Sequence, residues 1–233
     1  MSKHPFFFSL ILLSLVACGK DGPKKFTPGL DQLALQDDRE GLYRAYMKSL
    51  NGHETKGTVT VRMEQDEFVV REAIASAPEN MMHFQYITSG KCPSMENDEN
   101  QDGFVDMQEA LKVLGKILIP LDSDLNSQLE GSDYGPIANP AGAIVYNRRG
   151  SVSKMLSDLY AVDPSGDDHL GKLSAEEKLI LQGKSVIILG AKKELPETVS
   201  MFAGLDPKAS LPIACGEFKR ADSEMEDLQN LDL

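Results

Sequence analysis

The chain has no tryptophan, few other aromatic residues, three cysteines and four histidines among its 233 residues. The scarcity of aromatic side chains argues against a carbohydrate site built on ring stacking. Acidic residues outnumber basic ones by 36 to 24, and the formal net charge of −12 disfavours nucleic acid and anionic lipid as partners. No apolar run reaches the roughly 20 residues that a membrane-spanning helix needs. The composition predicts an acidic protein without a spanning helix.

Several catalytic motifs are also missing. The sequence contains no G-x-S-x-G elbow, no glycine-rich phosphate loop and no H-E-x-x-H zinc motif. A segment from Asp163 begins like a calcium loop, but Asp168 replaces the required glycine and Ser174 the required glutamate. We interpret Asp122 and Asp124 as turn residues, not as a catalytic pair. The sequence therefore predicts no catalytic residue.

Residues 98–109 fit the calcium-loop pattern D-x-[DN]-x-[DN]-G-x5-E at every defined position. Gly103 permits the sharp turn, and Val105 is apolar where a residue should point into a core. The alternative is an acidic surface turn without a ligand. We predict Ca²⁺ as the cofactor, with oxygen ligands from Asp98, Asn100, Asp102, the backbone carbonyl of Phe104, Asp106 and Glu109.

The segment before this loop departs from a regular EF-hand. Gly90, Cys92 and Pro93 are incompatible with an ordinary entering helix, whereas residues 106–114 have the apolar spacing of an exit helix. A regulatory EF-hand opens by moving two helices, and only one is predicted here. We therefore expect a structural calcium staple inserted in another domain.

The N-terminus predicts export. An apolar run from Phe6 to Val16 is too short to span a bilayer and is followed by the small residues Ala17, Cys18 and Gly19. This is the pattern of a secretory signal peptide over residues 1–17. Residues 18–40 contain prolines, lysines and a charged stretch, and we interpret them as a flexible tether.

Leu15-Val16-Ala17-Cys18 also resembles the lipobox of bacterial lipoproteins. The resemblance implies cleavage before Cys18 and a diacylglycerol on its thiol, so that the membrane is a partner through the lipid. Gly19 stands where an aspartate would favour inner-membrane retention. In a Gram-negative cell this implies the outer membrane, on its periplasmic or surface face. The alternative is an ordinary signal peptide with a chance cysteine.

Residues 41–220 have mainly the patterns of a β domain, followed by an acidic tail at 221–233. Helices are predicted at 106–114, at 154–160 with Ser153 as a possible cap, and after the capping box from Ser174 to Glu177. The predicted strands are 57–62, 68–74, 82–87 and 185–189. Residues 118–121 and 143–146 are further short apolar runs, and residues 211–216 close the domain.

Once Cys18 is lipidated, only Cys92 and Cys215 remain. In an oxidising compartment the simplest outcome is one disulfide. Such a bridge closes about 120 residues and is worth roughly 4–5 kcal/mol on the chain-entropy estimate. The alternatives are two free thiols or a metal-bound pair.

A longer resemblance begins at Cys92-Pro93 and the calcium loop and continues through Leu118 to Leu125. It extends to Asp167–Leu170, Val186–Gly190 and Leu211–Gly216. These segments resemble a group of bacterial exported proteins that carry a CPxxxDxNxDGxxDxxE segment. The group is similar in turn to the CHRD and Cu/Zn superoxide dismutase β-sandwiches. This resemblance implies a Greek-key β-sandwich and supports the Cys92–Cys215 bridge.

The chain departs from the superoxide dismutase-like pattern at its metal ligands. Tyr86 and Thr88 stand where those families carry His-x-His, and only His53, His83 and His169 remain in the mature chain. A copper site needs several imidazoles close together. We therefore interpret His83 as a packed or surface histidine and His169 as part of a solvated loop.

Together these observations predict a mainly β protein: a superoxide dismutase-like Greek-key sandwich with an inserted EF-hand-type calcium loop and a few short helices. The expected function is that of a calcium-binding, lipid-anchored and non-enzymatic structural or binding module, whose protein partner the sequence does not name. The alternative is a metal-dependent oxidoreductase of superoxide dismutase type.

Overall fold

The computed structural model describes residues 41–125, 135–160, 173–174 and 177–221. The lipobox, the tether, His169 and nearly all of the acidic tail lie outside these residues. The strands are β1 Gly41–Ser49, β2 Lys56–Glu64, β3 Glu67–Ala75, β4 Gln85–Thr88, β5 Ile117–Pro120, β6 Ile144–Ser151, β7 Ser185–Leu189 and β8 Pro212–Arg220. The helices are α1 Met107–Leu114, α2 Val152–Tyr160 and α3 Pro207–Ser210, with a 3₁₀ turn at Met95–Asn97.

The strands form one curled antiparallel sheet in the order β5-β4-β7-β8-β1-β2-β3-β6. The last strand, β8, pairs with β1 on one side and with β7 on the other. The return of a late strand to the side of the first is the connection found in Greek keys. Because β8 belongs to both halves, the sheet folds over itself as a sandwich.

The inner core lies between the two halves of the sheet. Strand β2 shows why, because its buried residues Val59, Val61 and Met63 alternate with exposed or half-buried ones. Alternation of this kind places one face of each strand in the core and the other toward solvent. Inward-facing side chains from the other half include Ile87, Val186 and Ile188.

An outer layer covers the opposite face of β4, β7 and β8. It consists of the loop 98–109 and α1, which packs Met107, Ala110 and Leu114 against a second apolar cluster containing Ile187. Strand β7 is buried at every position because the inner core covers one face and the outer layer the other. The predicted calcium loop therefore lies on the back of the sandwich.

The prediction of a mainly β sandwich with a few short helices is confirmed. The predicted strand at 185–189 is β7 without change, and the strands at 57–62 and 68–74 are the central parts of β2 and β3. Strand β1 was missed. The strand predicted at 82–87 pairs only from Gln85 onward, after an isolated bridge between Met82 and Ile137.

Two helix predictions need correction. The Ser174–Glu177 box forms in part, since Ser174 N donates to the Glu177 carboxylate at 2.8 Å, but no helix follows over 177–181. Helix α2 begins before Ser153, and Lys154 N donates to the Ser151 hydroxyl at 3.2 Å, so Ser151 and not Ser153 caps this end. The described residues include no helix with the length and apolarity required to cross a membrane.

Candidate calcium site

The first half of the loop is folded by its own side chains. The Asp98 carboxylate accepts from the backbone N–H groups of Asp102 at 3.1 Å and Gly103 at 2.8 Å. Asn100 Oδ1 accepts from Asp102 N at 2.9 Å, and Asp102 Oδ1 accepts from Phe104 N at 2.9 Å. Successive turns of this type are what short Asp and Asn side chains favour.

Gly103 has a φ of +89°, which a residue with a side chain rarely adopts. No neighbouring atom occupies the space where its Cβ would lie, so the constraint is conformational and not steric. This is the sharp turn that the motif requires at its sixth position.

Glu109 connects the two ends of the loop. Its Oε1 accepts from the backbone N–H groups of Glu99 at 2.8 Å and Asn100 at 3.2 Å, and its Oε2 accepts from Asp106 N at 3.1 Å. Asp106 caps α1 by accepting from Glu109 N at 3.0 Å, which completes a reciprocal capping box. The predicted exit helix is confirmed as α1, and a three-residue helical turn, Met95–Asn97, comes directly before the loop.

Asn51, on the turn between β1 and β2, fastens the loop to the sandwich. Its side-chain amide accepts from Val105 N at 2.8 Å and donates to Val105 O at 3.0 Å, as a neighbouring strand residue would. The same amide donates to Pro212 O at 2.9 Å. Val105 itself is fully buried in the outer layer, as its apolar character predicted.

A segment between β7 and β8 covers the loop from the other side. Thr198 Oγ1 donates to Asp102 Oδ2 at 2.6 Å, and Ser200 N donates to Asp106 Oδ2 at 2.9 Å. Lys112 of α1 forms an exposed ion pair with Glu99. Sequence analysis missed Asn51, Thr198 and Ser200, because more than fifty residues separate each from the group it contacts.

The donor set fits a hard cation, since all six predicted ligands contribute oxygen atoms. Their side chains are brought into one loop, but several oxygens accept from backbone N–H groups. Within the described ranges, no group of three or more His, Cys, Asp or Glu side chains is arranged to hold a metal ion. Ligation by Asp102 and Asp106 therefore requires their oxygens to turn from Thr198 and Ser200 or to be shared with them. The ligand set stays a prediction.

Cys92 and Cys215 form a disulfide with a Cα–Cα distance of 5.7 Å, which confirms the predicted pairing. Cys215 lies on β8 in the outer layer, and Cys92 precedes the loop. The bridge thus ties the start of the inserted segment to the sheet beneath it.

The described residues contain two histidines, His53 and His83. His83 is fully buried, with Nδ1 at 2.8 Å from Leu189 O and Nε2 at 2.9 Å from Pro78 O, so both ring nitrogens face protein carbonyls. This agrees with the interpretation of His83 as a packed residue. Tyr86 and Thr88 are buried on β4, where Tyr86 packs edge-on against Phe202 and Thr88 Oγ1 donates to Ser185 O at 3.4 Å.

His53 lies on the same turn as Asn51. Burial is the main cause that lowers its pKa to about 4, and the positive charge of Lys193 and the neighbouring His83 act in the same direction. Its Nε2 atom is buried and has no hydrogen-bond partner in the described part of the protein. His53 therefore stays neutral at ordinary pH.

No protein family and no curated protein sequence matches this chain. Among solved structures, it superposes on a double mutant of an SOD-like protein from Bacillus subtilis with a TM-score of 0.38. The two are 13% identical in sequence, and the alignment covers 75% of this chain and 95% of that protein.

Proposed function

We propose that this protein is a calcium-stabilised, non-enzymatic β-sandwich, exported and held at a membrane by a lipid on Cys18, that serves as a structural or binding module. The observation that carries the proposal is the loop 98–109. It has the turns, the Gly103 conformation and the helix cap of a calcium loop, and it is clamped to the sandwich by Asn51.

Calcium would stabilise the loop through charge. Asp98, Asp102, Asp106 and Glu109 place four carboxylates within twelve residues, and their mutual repulsion is relieved when a cation binds among them. Val105 and α1 pack against β7, so a more stable loop also stabilises the sandwich. Any ligand that binds the folded state alone raises stability in this way.

A staple is favoured over a switch. A 3₁₀ turn comes directly before the loop in the place of an entering helix, and the apolar residues of α1 are already buried against the sheet. A regulatory EF-hand needs a helix pair that opens to expose an apolar groove. Here movement of α1 away from the sheet would expose Met107 and Leu114 to solvent, and no helix directly before the loop pairs with α1.

Absence of enzymatic activity is part of the proposal and rests on the missing His-x-His pair and on His83, whose two nitrogens face carbonyls. Metal analysis of the purified mature protein distinguishes this proposal from the oxidoreductase alternative. Calcium alone supports the module, whereas stoichiometric copper supports the enzyme.

Thermal melting with chelator and with millimolar calcium tests the calcium staple. At a free calcium concentration of about a hundred times the dissociation constant, we expect a gain of roughly 2.7 kcal/mol in the free energy of unfolding. Glu109→Gln should abolish the part of this gain that the loop contributes, because it removes the bidentate carboxylate. Glu99→Gln is the matched control, since Glu99 is exposed, lies in the same loop and is not a predicted ligand. Wild-type curves that coincide with and without calcium would overturn the staple.

The lipid anchor is tested separately. Cys18→Ser should leave unprocessed precursor or a product that no longer needs detergent for extraction. Membrane association of a processed Cys18→Ser product would contradict the lipobox.

A further inference from the structure

A second group of oxygen atoms lies inside the sandwich. Glu72 of β3 has the same strand parity as Val70 and Ile74, so its side chain points into the inner core. Gln85 of β4 likewise has the parity of the inward-facing Ile87. We call the group formed by Glu72, Gln85 and Asp122 the inner carboxylate site.

Backbone contacts bring these residues together from different elements. Glu72 is paired in register with Tyr146 of β6, whose hydroxyl donates to the backbone carbonyl of Asp122. Leu121 N donates to Gln85 O at 2.9 Å, which places Asp122 beside the start of β4. The Gln85 side chain in turn lies close enough to Glu72 to influence its ionisation. Burial and, after it, the charges of Glu72 and Asp122 raise the pKa of Tyr146, so both carboxylates lie near its hydroxyl.

The polar atoms of this site are buried without partners. The exposed fractions of Glu72, Gln85 and Asp122 are 4%, 2% and 3%. The Gln85 amide lies against the Glu72 carboxylate, but the angles are too poor for a hydrogen bond. Oδ2 of Asp122 likewise has no hydrogen-bond partner among the described residues. Such atoms are rare in folded proteins, because a buried polar group without a hydrogen bond destabilises the folded state.

Charge sharpens this point. Burial raises the pKa of Glu72 to about 8, and the nearby Gln85 side chain opposes the rise. No Lys or Arg of the described ranges forms an ion pair with Glu72 or Asp122. Arg148 lies over the Tyr146 ring, with its Cζ atom 5.3 Å from the ring centroid. Without a positive partner Glu72 stays protonated and neutral near pH 7, so a cation that binds here would displace its proton.

We propose that the inner carboxylate site binds a hard divalent cation, with the Glu72 and Asp122 carboxylates and the Gln85 amide oxygen as ligands. Carboxylate and amide oxygens are the ligands of such cations, and two carboxylates neutralise one divalent charge. Asp122 Oδ1 already accepts from Asp124 N and Leu125 N, so the turn holds Oδ2 for the ion. The exposed residues Ser123 and Asp124 follow directly, so Asp122 lies next to the protein surface in sequence.

The experiment counts calcium per chain after equilibrium dialysis of the mature protein. Glu72→Gln and Asp122→Asn remove one carboxylate each with almost no change of shape, and two independent variants protect against failure of either to fold. Glu64→Gln is the matched control, because it makes the same chemical change on the exposed side of the neighbouring strand. All four proteins are also prepared with Glu109→Gln to remove the loop site.

We expect Glu72→Gln and Asp122→Asn each to bind one calcium fewer than wild type and than Glu64→Gln. The same loss should persist with Glu109→Gln, which separates this site from the loop. An unchanged count in both variants would overturn the proposal, as would Glu72→Gln melting above wild type without loss of an ion, because Glu72 then holds only a proton. Loss of calcium on Glu109→Gln alone would support the loop and reject the inner site.

Discussion

Strand β4 separates two oxygen-rich clusters that satisfy their polar atoms in different ways. On its outer side, the carboxylates of the loop 98–109 accept hydrogen bonds from the backbone of the same loop. On its inner side, five polar atoms of the inner carboxylate site have no partner among the described residues. A loop of consecutive residues can cap itself, whereas side chains from separate strands are fixed where the sheet places them.

This difference sets what a cation contributes at each site. In the loop, a cation competes with hydrogen bonds that already exist, so the segment keeps its turns without one. In the inner core, unpaired polar atoms and a buried carboxyl group raise the free energy of the folded state. Binding of a cation to their oxygen atoms would lower it. Calcium therefore stabilises the loop by reducing repulsion between its carboxylates. At the inner site, a cation would provide the polar partner that the buried oxygen atoms lack.

Among the changes to the outer layer, removal of the disulfide is expected to lower the free energy of unfolding most. Replacing both cysteines, Cys92→Ser and Cys215→Ser, should lower the free energy of unfolding by roughly 2–5 kcal/mol, because the bridge closes a long loop of the unfolded chain. Urea unfolding measures the loss. The gain from calcium at the loop should shrink as well, since Cys92 leads into it.

Glu72→Gln added to the double variant should still cost it one bound calcium. If calcium stabilises the double variant as much as wild type, Asn51 and the apolar contacts hold the outer layer in place without the disulfide.

Asn51→Ala should have the next largest effect. It leaves Val105 N, Val105 O and Pro212 O without their present partner, and each buried unpaired group costs about 1–3 kcal/mol. With partial access of water we expect a total on the order of 3 kcal/mol in denaturant unfolding. The loop should also lose calcium affinity, because Asn51 fixes its centre.

Asn139→Ala is the control, because Asn139 caps an exposed turn through Ala141 N at 2.9 Å and Ala143 N at 3.0 Å. Its expected cost is below about 1 kcal/mol, with no change in calcium affinity. Equal costs for Asn51→Ala and Asn139→Ala would mean that the clamp on Val105 is not what joins the loop to the sandwich.

The parts of the fold that could be predicted from the sequence are those determined by residues close together in the chain. The turns of the loop and the cap of α1 follow from residues at most five positions apart. Alternation located β2, the acidic turn after it indicated β3 as its hairpin partner, and a short β-branched apolar run located β7. Strand β1 carries the same alternation in Tyr43, Ala45 and Met47, but it directly follows the charged segment interpreted as a tether.

The helix expected after Ser174 failed for a tertiary reason. Leu179 and Leu181 are buried and Ile180 between them is exposed, so burial follows a period of two in spite of the cap. Asn51 and Glu72 gave no signal in the sequence. Asn51 reaches Val105 and Pro212 across 54 and 161 positions, and one acidic residue in a strand pattern does not reveal what faces it.

His53→Gln is expected to change stability least. Its turn holds both kinds of polar group, because the Asn51 amide is hydrogen-bonded and His53 Nε2 is buried without a partner among the described residues. The folded pKa of His53 is about 4, below the ordinary value of 6.5, mainly because burial disfavours the charged ring. Between these values the unfolded chain binds more protons than the folded one, so stability falls as the pH falls. Wild type should therefore lose melting temperature progressively below about pH 6.5, and His53→Gln should lose less.

The measurement is the difference between the two melting temperatures across that range, at saturating calcium so that the loop carboxylates contribute equally to both proteins. Subtraction also cancels Glu72 and Asp122, which are common to both. Wild type and His53→Gln should converge in slope above pH 6.5, where the ring is neutral in both states. Parallel curves over the whole range would mean that solvent reaches His53 Nε2 and that the turn beside Asn51 is not closed.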